Sequence, residues 1–257
     1  SHLKKTVRDR ESAWNFGLDY LFSKKSSAFL SIKRSFRFPV SDELFQFYPA
    51  LKVNASLQPQ TGYHYEAGIR HFFTDQIETN LTVFWVDLRD EIFLDPTIPP
   101  LGENRNYPRT RRQGVELGVK VRPFEWLSLW GNYGYIRPRL RGDSFSGNDI
   151  PAVARHKGSI GTDIRIWKGL QLNGRALFVD SRYLISDFAN QVDKLDGYYT
   201  VDAKLSYLWK GLNTFIGVNN LFNRKYAEYA VTNATGTAQS FYPSPERNYF
   251  GGISYTF

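Results

Sequence analysis

Seven arginines and one tyrosine in the middle of the chain have side chains and spacings suited to binding an anion. They are Arg105, Arg109, Arg111, Arg112, Arg137, Arg139 and Arg141, with Tyr107 among them. A guanidinium group presents a planar fork of donors that matches carboxylates and phosphates, and several together create a positive field. Tyr48 and Phe145 are candidates for added aromatic contacts. The alternative is a solvated basic surface, since the whole chain carries a net charge of +8.

The other polar residues show no pattern of catalysis or metal binding. The 257 residues include no cysteine, which excludes a thiol nucleophile and a cysteine-ligated metal. The four histidines, at positions 2, 64, 71 and 156, lack metal-ligand spacing. The acidic pairs Asp42-Glu43 and Asp90-Glu91 fall in predicted loops, and no glycine-rich phosphate loop is present. We therefore expect neither an enzyme nor a resident cofactor or metal.

The elements that hold these side chains follow the two-residue period of β-strands. In the clearest case, residues 199–209, apolar side chains from Tyr199 to Trp209 alternate with Thr200, Asp202, Lys204 and Ser206. The same alternation predicts an all-β, antiparallel, up-and-down chain of about eleven strands. These strands cover residues 12–22, 27–37, 62–73, 76–87, 113–122, 126–136, 157–166, 170–180, 199–209, 212–219 and 247–257.

The connections between these strands alternate strictly between short turns and long loops. The long loops are predicted at residues 38–61, 88–112, 137–156, 181–197 and 220–246. Transmembrane β-barrels place short turns on one side of the membrane and long loops on the other. Aromatic residues such as Trp85, Tyr135 and Trp209 end several apolar faces, as expected at a bilayer boundary. The mean hydropathy of −0.43 agrees, because such a strand meets lipid only at every second residue.

Two other interpretations remain open at this point. A soluble β protein would need a second sheet to cover the apolar face of residues 199–209. A passive porin or an adhesin barrel would share the strand pattern and conduct or adhere without an energy source. A nucleic-acid partner is disfavoured, since aromatic and charged side chains are predicted on opposite faces, whereas nucleic-acid binding needs both on one surface.

The last strand resembles the C-terminal strand of bacterial outer-membrane barrels. Its alternate residues include Tyr249, Ile253, Tyr255 and the terminal Phe257. In those barrels a terminal aromatic residue with aromatics at alternate positions serves as an assembly signal. The resemblance implies that this strand is recognised by the barrel assembly machinery.

Five segments, in order along the chain, resemble segments of TonB-dependent receptors. They are Ser35-Phe-Arg-Phe-Pro39 with Asp42-Glu43-Leu44, residues 104–116, Ile150 to His156, residues 218–226, and Pro245 to Phe250. The fourth contains Asn219, Asn220, Leu221, Phe222 and Tyr226, and local side-chain turns of its asparagines are expected at the end of the strand. Ala154 stands where the family usually has a proline.

The resemblance implies energised import across the bacterial outer membrane, most often of a ferric siderophore. Cobalamin or another nutrient is the alternative ligand. The implied partners are TonB, reached through a plug domain, together with outer-membrane lipid and lipopolysaccharide, and no nucleic acid. The arginines and Tyr107 would contact the ligand, or the arginines would bind lipopolysaccharide phosphates. Inward charges such as Glu66 and Arg70 would meet the plug.

The family's barrel has about 22 strands, so residues 1–257 are expected to be its C-terminal half, without the plug and the N-terminal strands. The absence of methionine and the polar first ten residues agree with a fragment or a processed product.

Overall fold

The computed structural model describes residues 8–46, 52–95, 98, 102–142, 144–232 and 237–257. In chain order the elements are β1 (Trp14–Ser23), β2 (Ser26–Arg37), α1 (Ser41–Leu44), β3 (Phe45–Gln46), β4 (Lys52–Val53), β5 (Gln60–Thr74), β6 (Ile77–Asp95), β7 (Glu103–Phe124), β8 (Leu127–Arg141), β9 (His156–Trp167), β10 (Leu170–Val179), β11 (Tyr198–Trp209), β12 (Leu212–Asn219), β13 (Ala227–Thr232), β14 (Gln239–Pro243) and β15 (Asn248–Tyr255).

Eleven of these strands form one antiparallel sheet, and the predicted strand count is confirmed. Their order in the sheet is β1-β2-β5-β6-β7-β8-β9-β10-β11-β12-β15, which follows the chain. Each strand therefore pairs with its neighbours in sequence, as an up-and-down topology requires. Among the described residues, the sheet is open, with β1 at one edge and β15 at the other. Two short hairpins, β3–β4 and β13–β14, lie outside the sheet.

One face of the sheet is apolar, and no other described part of the chain covers it. Ile164, Leu172, Leu205 and Ile216 are successive cross-strand partners on β9, β10, β11 and β12. Partners in an antiparallel pair lie on the same face, so these four side chains form one row. Leu205 is 39% exposed and Ile216 is 62% exposed. A shift of the register by one residue would move the whole row to the opposite face.

The opposite face is polar and carries charges in rows. One row runs across six strands through Glu78, Lys120, Trp130, Gly161, Arg175 and Asp202. Arg70 also pairs with Glu78 at 2.5 Å. This face is not free of aromatic residues, so the expectation that aromatic and charged residues occupy opposite faces is wrong for part of the sheet.

The aromatic residues on the polar face cover glycines on neighbouring strands. A Cβ atom on Gly114 would collide with the ring of Phe84 and the carbonyl of Tyr135, and one on Gly161 would collide with the ring of Trp130. Phe29 over Gly68 and Phe250 over Gly217 repeat the arrangement. Glycine thus leaves room for a ring to lie flat on the sheet, which the alternation of polar and apolar residues does not reveal.

The long-loop end departs from the predicted strand limits. β6 continues to Asp95, β7 begins at Glu103 and β8 ends at Arg141, so most of the predicted loop at 88–112 is strand. Pairing between β6 and β7 persists as far as Asp95 and Glu103. The hydrophobic period disappears there because Arg89, Arg109 and Arg111 occupy the positions that continue the apolar face, while the backbone ladder needs no apolar side chains. β13 and β14 were also missed, inside the predicted loop at 220–246.

Helix contributes little to the described residues. α1 has four residues, and its first turn holds Asp42 and Glu43. Within the described part of the chain, no helix has the length and apolar character that crossing a membrane demands.

Candidate functional site

The extensions of β6, β7 and β8 bring most of the predicted arginines together. Across these strands, Arg109 lies between Arg89 and Arg141, and Arg111 lies between Asp87 and Arg139. One step nearer the middle of the sheet, Gln113 lies between Trp85 and Arg137. These side chains lie on the same side of the sheet as the apolar face. We call this group the arginine patch, and it comprises Arg89, Arg109, Arg111, Arg137, Arg139 and Arg141.

Arg89 was missed by the sequence reasoning, although its cross-strand position was available once β6 and β7 were paired. The signal is the two-residue spacing of Trp85, Asp87 and Arg89, which places all three side chains on the same side of β6 as the apolar face. Because the predicted strand ended at residue 87, Arg89 fell in a predicted loop and was not assigned to a face.

Asp87 is the carboxylate at the centre of the arginine patch. It accepts hydrogen bonds from Arg111 Nε at 2.9 Å, from Arg109 Nη2 at 3.2 Å and from Trp85 Nε1 at 2.9 Å. The Arg111 guanidinium also lies 4.3 Å from the centre of the Trp85 ring. One carboxylate therefore orients two guanidinium groups beside an aromatic ring, and the patch keeps a net positive charge.

Arg112 lies on the opposite, polar face and belongs to a separate network. Its Nη2 donates to Glu91 Oε1 at 2.7 Å, and its Nη1 donates to Thr110 Oγ1 at 2.9 Å. Thr110 Oγ1 in turn donates to Glu91 Oε2 at 2.5 Å. Thr110 is buried, so it shields the Arg112–Glu91 ion pair from solvent where it contacts the two side chains.

Asp90 explains how Glu91 reaches the polar face. Strict alternation would place Glu91 beside Arg89, but Asp90 has φ of 55°, a left-handed conformation that interrupts the alternation. Burial raises the pKa of the Asp90 carboxyl, and the neighbouring Arg89 guanidinium opposes part of that rise. Beyond Asp90, the odd-numbered side chains Glu91 of β6 and Tyr107 of β7 point to the polar side of the sheet and not to the apolar side.

Tyr107 is among the side chains turned by this interruption. It is 3% exposed and packs in a cluster with Leu140 and Ile150, against Phe93, Val153 and Phe188. Tyr107 thus lies inside the protein and not on an open surface. Arg105 differs, since its side chain is 60% exposed and its Nη1 lies 3.4 Å from Asp95 Oδ2.

Asp149 connects the patch to the loops that cover the polar side. Its buried carboxylate pairs with Arg139 at 2.8 Å and with Arg155 at 2.6 Å. Its backbone N–H donates to Asn190 Oδ1 at 2.6 Å, and Asn190 Nδ2 donates back to its carbonyl at 3.1 Å. Residues 144–155 and 180–197 are therefore fixed to β8 and to each other.

The segment at 219–226 forms the local side-chain turns that its asparagines predict. Asn220 is buried, has φ of 52°, and accepts the backbone N–H of Arg224 at 2.8 Å. Its own N–H donates to Asp202 Oδ1 at 2.9 Å. Asn219 donates to Asn248 Oδ1 at 2.9 Å and so connects β12 with β15.

Leu221, Phe222 and Tyr226 continue this segment toward the β13–β14 hairpin. Leu221 donates its backbone N–H to Val201 at 2.7 Å, and Phe222 is exposed. Tyr226 stacks on Tyr198 with ring centres 4.2 Å apart. Burial, together with the negative charge of Glu228, raises the pKa of the Tyr226 hydroxyl.

The segment at 35–44 is also explained by its contacts. Arg37 Nη1 lies 2.9 Å and 2.8 Å from the two carboxylate oxygens of Glu43, and Glu43 accepts the Val40 N–H at 2.9 Å. The six-residue spacing between the arginine and the glutamate therefore closes a compact turn after β2. Tyr48 lies outside the described residues, and Phe145 is exposed.

The terminal strand presents its alternate residues on the apolar face. Tyr249, Ile253 and Tyr255 are exposed, and Phe257 is fully exposed beyond the strand. Within the described residues β15 pairs with β12 alone, so its other edge carries unpaired backbone groups.

Residues 3–221 match the family model described as "TonB dependent receptor-like, beta-barrel". Among curated proteins, the chain is 26% identical over 230 residues to the Ferrichrome outer membrane transporter/phage receptor of Escherichia coli K12. That match covers 85% of this chain and 29% of the relative.

A second relative is the Metal-pseudopaline receptor CntO of Pseudomonas aeruginosa, 28% identical over 185 residues, which cover 69% of this chain and 26% of the receptor. Among solved structures, the ferric enterobactin receptor of Pseudomonas aeruginosa aligns with a TM-score of 0.75 at 17% identity. The alignment covers 95% of this chain and 40% of that one. The chain therefore spans less than half the length of each of these proteins.

Proposed function

Because the chain belongs to the TonB-dependent receptor β-barrel family, we propose that it is part of an active outer-membrane transporter for a metal chelate, with a ferric siderophore as the leading ligand. The family match over residues 3–221 is the observation that carries this proposal. The family consists of transporters and receptors of the outer membrane, not of enzymes. Since the chain spans 29% of the ferrichrome transporter, the activity of the whole protein is inferred from the family.

The names of similar proteins support a metal chelate as the ligand class. They refer to ferrichrome, metal-pseudopaline and ferric enterobactin. Cobalamin or another nutrient is the alternative within the same family. A passive porin or an adhesin barrel is not favoured, because the sheet matches the TonB-dependent receptor family.

The two faces and two ends of the sheet fit this function. The apolar face meets lipid, and the polar face lines the lumen of a larger barrel completed by further strands. The short turns then face the periplasm and the long loops face the exterior. In this orientation the extensions of β6, β7 and β8 rise above the bilayer, since a tilted strand needs about 9–11 residues to cross and β6 has 19.

The predicted arginines divide into two proposed roles. Arg112, on the lumen side, and Arg105, at the exposed hairpin end, are our candidates for contact with an anionic chelate. The arginine patch lies on the lipid-facing side of the sheet, just past Trp85 toward the long loops. The phosphates of lipopolysaccharide would be at this level. Guanidinium groups oriented by Asp87 offer the forked donors that phosphates accept. Arg109, Arg111, Arg137, Arg139 and Arg141 therefore fit lipopolysaccharide better than ligand.

The remaining partners follow from the polar face and the two ends. We assign the lumen charges Glu66, Arg70, Glu116, Lys120 and Arg175 to hydrated contacts with a plug domain, through which TonB would act. Tyr249, Ile253, Tyr255 and Phe257 are assigned to recognition by the barrel assembly machinery. The exposed edges of β1 and β15 would be paired by other strands of the same barrel, since unpaired backbone in lipid is very costly.

Uptake of radiolabelled iron tests the proposed function. The full-length protein that contains this chain is expressed in a Gram-negative bacterial strain from which the native outer-membrane iron receptors have been deleted. Ferric chelates are then supplied one at a time. We expect accumulation of at least one ferric siderophore that stops when TonB is deleted. Uptake that continues without TonB would indicate a passive pore and contradict the proposal.

A further inference from the structure

Two neighbouring short turns of the sheet have the same four residue types in the same order. Residues 167–170 (Trp-Lys-Gly-Leu) join β9 to β10, and residues 209–212 (Trp-Lys-Gly-Leu) join β11 to β12. Because β9 to β12 are consecutive in the sheet, the two turns lie side by side at its short-turn end. With neighbouring strands about 4.8 Å apart, the turns are separated by about 10 Å. The repeat therefore places two lysines close together at one end of the sheet.

The tryptophan of each turn lies on the apolar side of the sheet. Trp167 pairs with Leu170, and Leu170 pairs with Tyr207. Tyr207 lies between Leu205 and Trp209 at the two-residue period of β11, so all of these side chains share the apolar face. Trp167 is 70% exposed and Trp209 is 55% exposed. Tryptophan favours the headgroup level of a bilayer, so the two rings mark that level at the short-turn end.

Backbone hydrogen bonds hold both turns in place. Leu208 donates its N–H to the Gly169 carbonyl at 2.9 Å, and Thr256 donates its N–H to the Gly211 carbonyl at 2.9 Å. Each turn is therefore fixed to the next strand of the sheet. Lys210 has φ of 45°, in the left-handed region where two-residue hairpin turns favour asparagine or glycine. Position 210 thus has a charged side chain at a cost in backbone conformation.

Both lysines are exposed, and among the described residues neither has an acidic partner within ion-pair distance. The Lys210 ammonium group lies 5.4 Å from the centre of the Trp209 ring, which directs it toward the apolar side. Lys25, in the β1–β2 turn, is instead paired with Asp75 at 3.3 Å. Lys168 and Lys210 therefore offer two positive charges beside the level of the tryptophans.

The preceding short turns carry the opposite charge. The β7–β8 turn has Glu125 between Phe124 and Trp126, whose rings stack with centres 5.3 Å apart at 1°. The β5–β6 turn has Asp75 at its tip. From β5 to β12, aromatic rings are thus common to acidic and basic turns, whereas positive charge at the tips is confined to β9–β12. A neutral lipid surface does not require this difference, so the two basic turns indicate a negatively charged partner.

We propose that the two Trp-Lys-Gly-Leu turns bind one anionic phospholipid of the inner leaflet of the outer membrane, with a headgroup of two phosphates as in cardiolipin. The inference rests on the proposed function, which places the short turns at the periplasmic surface. Lys168 and Lys210 each donate hydrogen bonds to one phosphate, and their long side chains span the space between the turns. Trp167 and Trp209 pack beside the glycerol groups and the upper ends of the acyl chains.

Native mass spectrometry of the full-length receptor, titrated with cardiolipin, tests this site. The variants are Lys168→Gln, Lys210→Asn and the two together, since asparagine suits the left-handed conformation at position 210. The control is Lys24→Gln, an exposed turn lysine with no tryptophan beside it. We expect each single variant to bind cardiolipin about fivefold more weakly and the double variant about 25-fold more weakly, while K24Q binds like the parent.

The choice of lipid gives a second comparison on the parent protein. Phosphatidylglycerol, with one phosphate, should bind about fivefold more weakly than cardiolipin, because it reaches one of the two lysines. Phosphatidylethanolamine, which has no net charge, should bind more weakly still. Equal binding of phosphatidylglycerol and cardiolipin would overturn a headgroup that spans both turns.

Three further results would overturn the site. They are equal binding of phosphatidylethanolamine and cardiolipin, equal weakening by K24Q and K210N, and binding of lipid A that exceeds that of cardiolipin and is lost in the same variants. The last result would place these turns at the outer leaflet. Selective cardiolipin binding by a receptor that shows no TonB-dependent iron uptake would instead contradict the proposed function and leave the lipid site standing.

Discussion

The middle of the sheet and its long-loop end use the same backbone pairing against different surroundings. In the middle, Leu205 and Ile216 form part of an apolar face that no described residue covers. At the long-loop end, Leu140 is fully buried by loop residues on the polar side, and the opposite side carries the arginine patch. The direction in which apolar side chains point is therefore reversed between the two regions.

This reversal shows that the surrounding medium, and not the strand itself, decides which face is apolar. Where lipid is the solvent, the protein has no need of its own hydrophobic core on that face. Where water surrounds the strands, a core must be built from loops, as the clusters around Leu140 and Leu184 demonstrate.

Removing the side chain of Leu140 should damage the long-loop end most. Leu140→Ala creates a cavity beside Tyr107 and Ile150, and such changes cost about 2–5 kcal/mol. The measurement is the rate of proteolysis within residues 144–155 together with denaturant unfolding. Leu129→Ala, in the same strand but on the apolar face, should leave that proteolysis rate unchanged; equal acceleration would contradict the existence of a separate loop core.

A charge on the apolar face should destabilise the middle of the sheet. Leu205→Arg places a guanidinium group in hydrocarbon and is expected to cost roughly 2–4 kcal/mol of unfolding free energy in lipid. Lys204→Arg, one residue away on the polar face, should change that free energy very little. If the two variants unfold alike, the assignment of the lipid-facing side is wrong.

Breaking the ion pairs of Asp149 should loosen the loops without unfolding the sheet. Asp149→Asn removes the charge that Arg139 and Arg155 share in a buried position, with an expected cost of about 1.5–3 kcal/mol. Hydrogen exchange of residues 144–155 and 180–197 measures the effect. The control is Asp75→Asn, whose carboxylate is 94% exposed and pairs with Lys25, and no change in exchange is expected there.

The smallest effect is expected from single changes in the arginine patch. Arg111→Gln removes one forked donor beside Asp87 and should weaken lipopolysaccharide retention during purification a few-fold, as expected for an exposed charged contact. Phosphate analysis of the purified full-length protein measures the bound lipid. Arg175→Gln, on the lumen side, should retain the parent amount, and equal losses in both would argue against a site on the patch.

Much of the fold was predictable because lipid imposes one rule on every strand. Alternation at a period of two, with turns and loops in strict succession, sufficed for all eleven strands of the sheet and their antiparallel order. The motif segments added the family and, through Asn220, the turn that ends β12. The turn that Glu43 closes after β2 was not predicted. The glycines beneath Phe84 and Trp130 escaped prediction, because packing across strands is invisible in one strand's pattern.

The sequence by itself determined the existence of the eleven strands of the large sheet, its apolar side and the concentration of arginines in one part of the chain. Only the tertiary structure decided that Arg111 and Arg112, adjacent in sequence, serve opposite faces, and that Tyr107 is buried. The physical reason is that β6, β7 and β8 continue pairing beyond the apolar part of the sheet, where backbone hydrogen bonds persist without a hydrophobic period. The left-handed residue Asp90 then redirects the side chains that follow it, and the loops supply a core that no local pattern encodes.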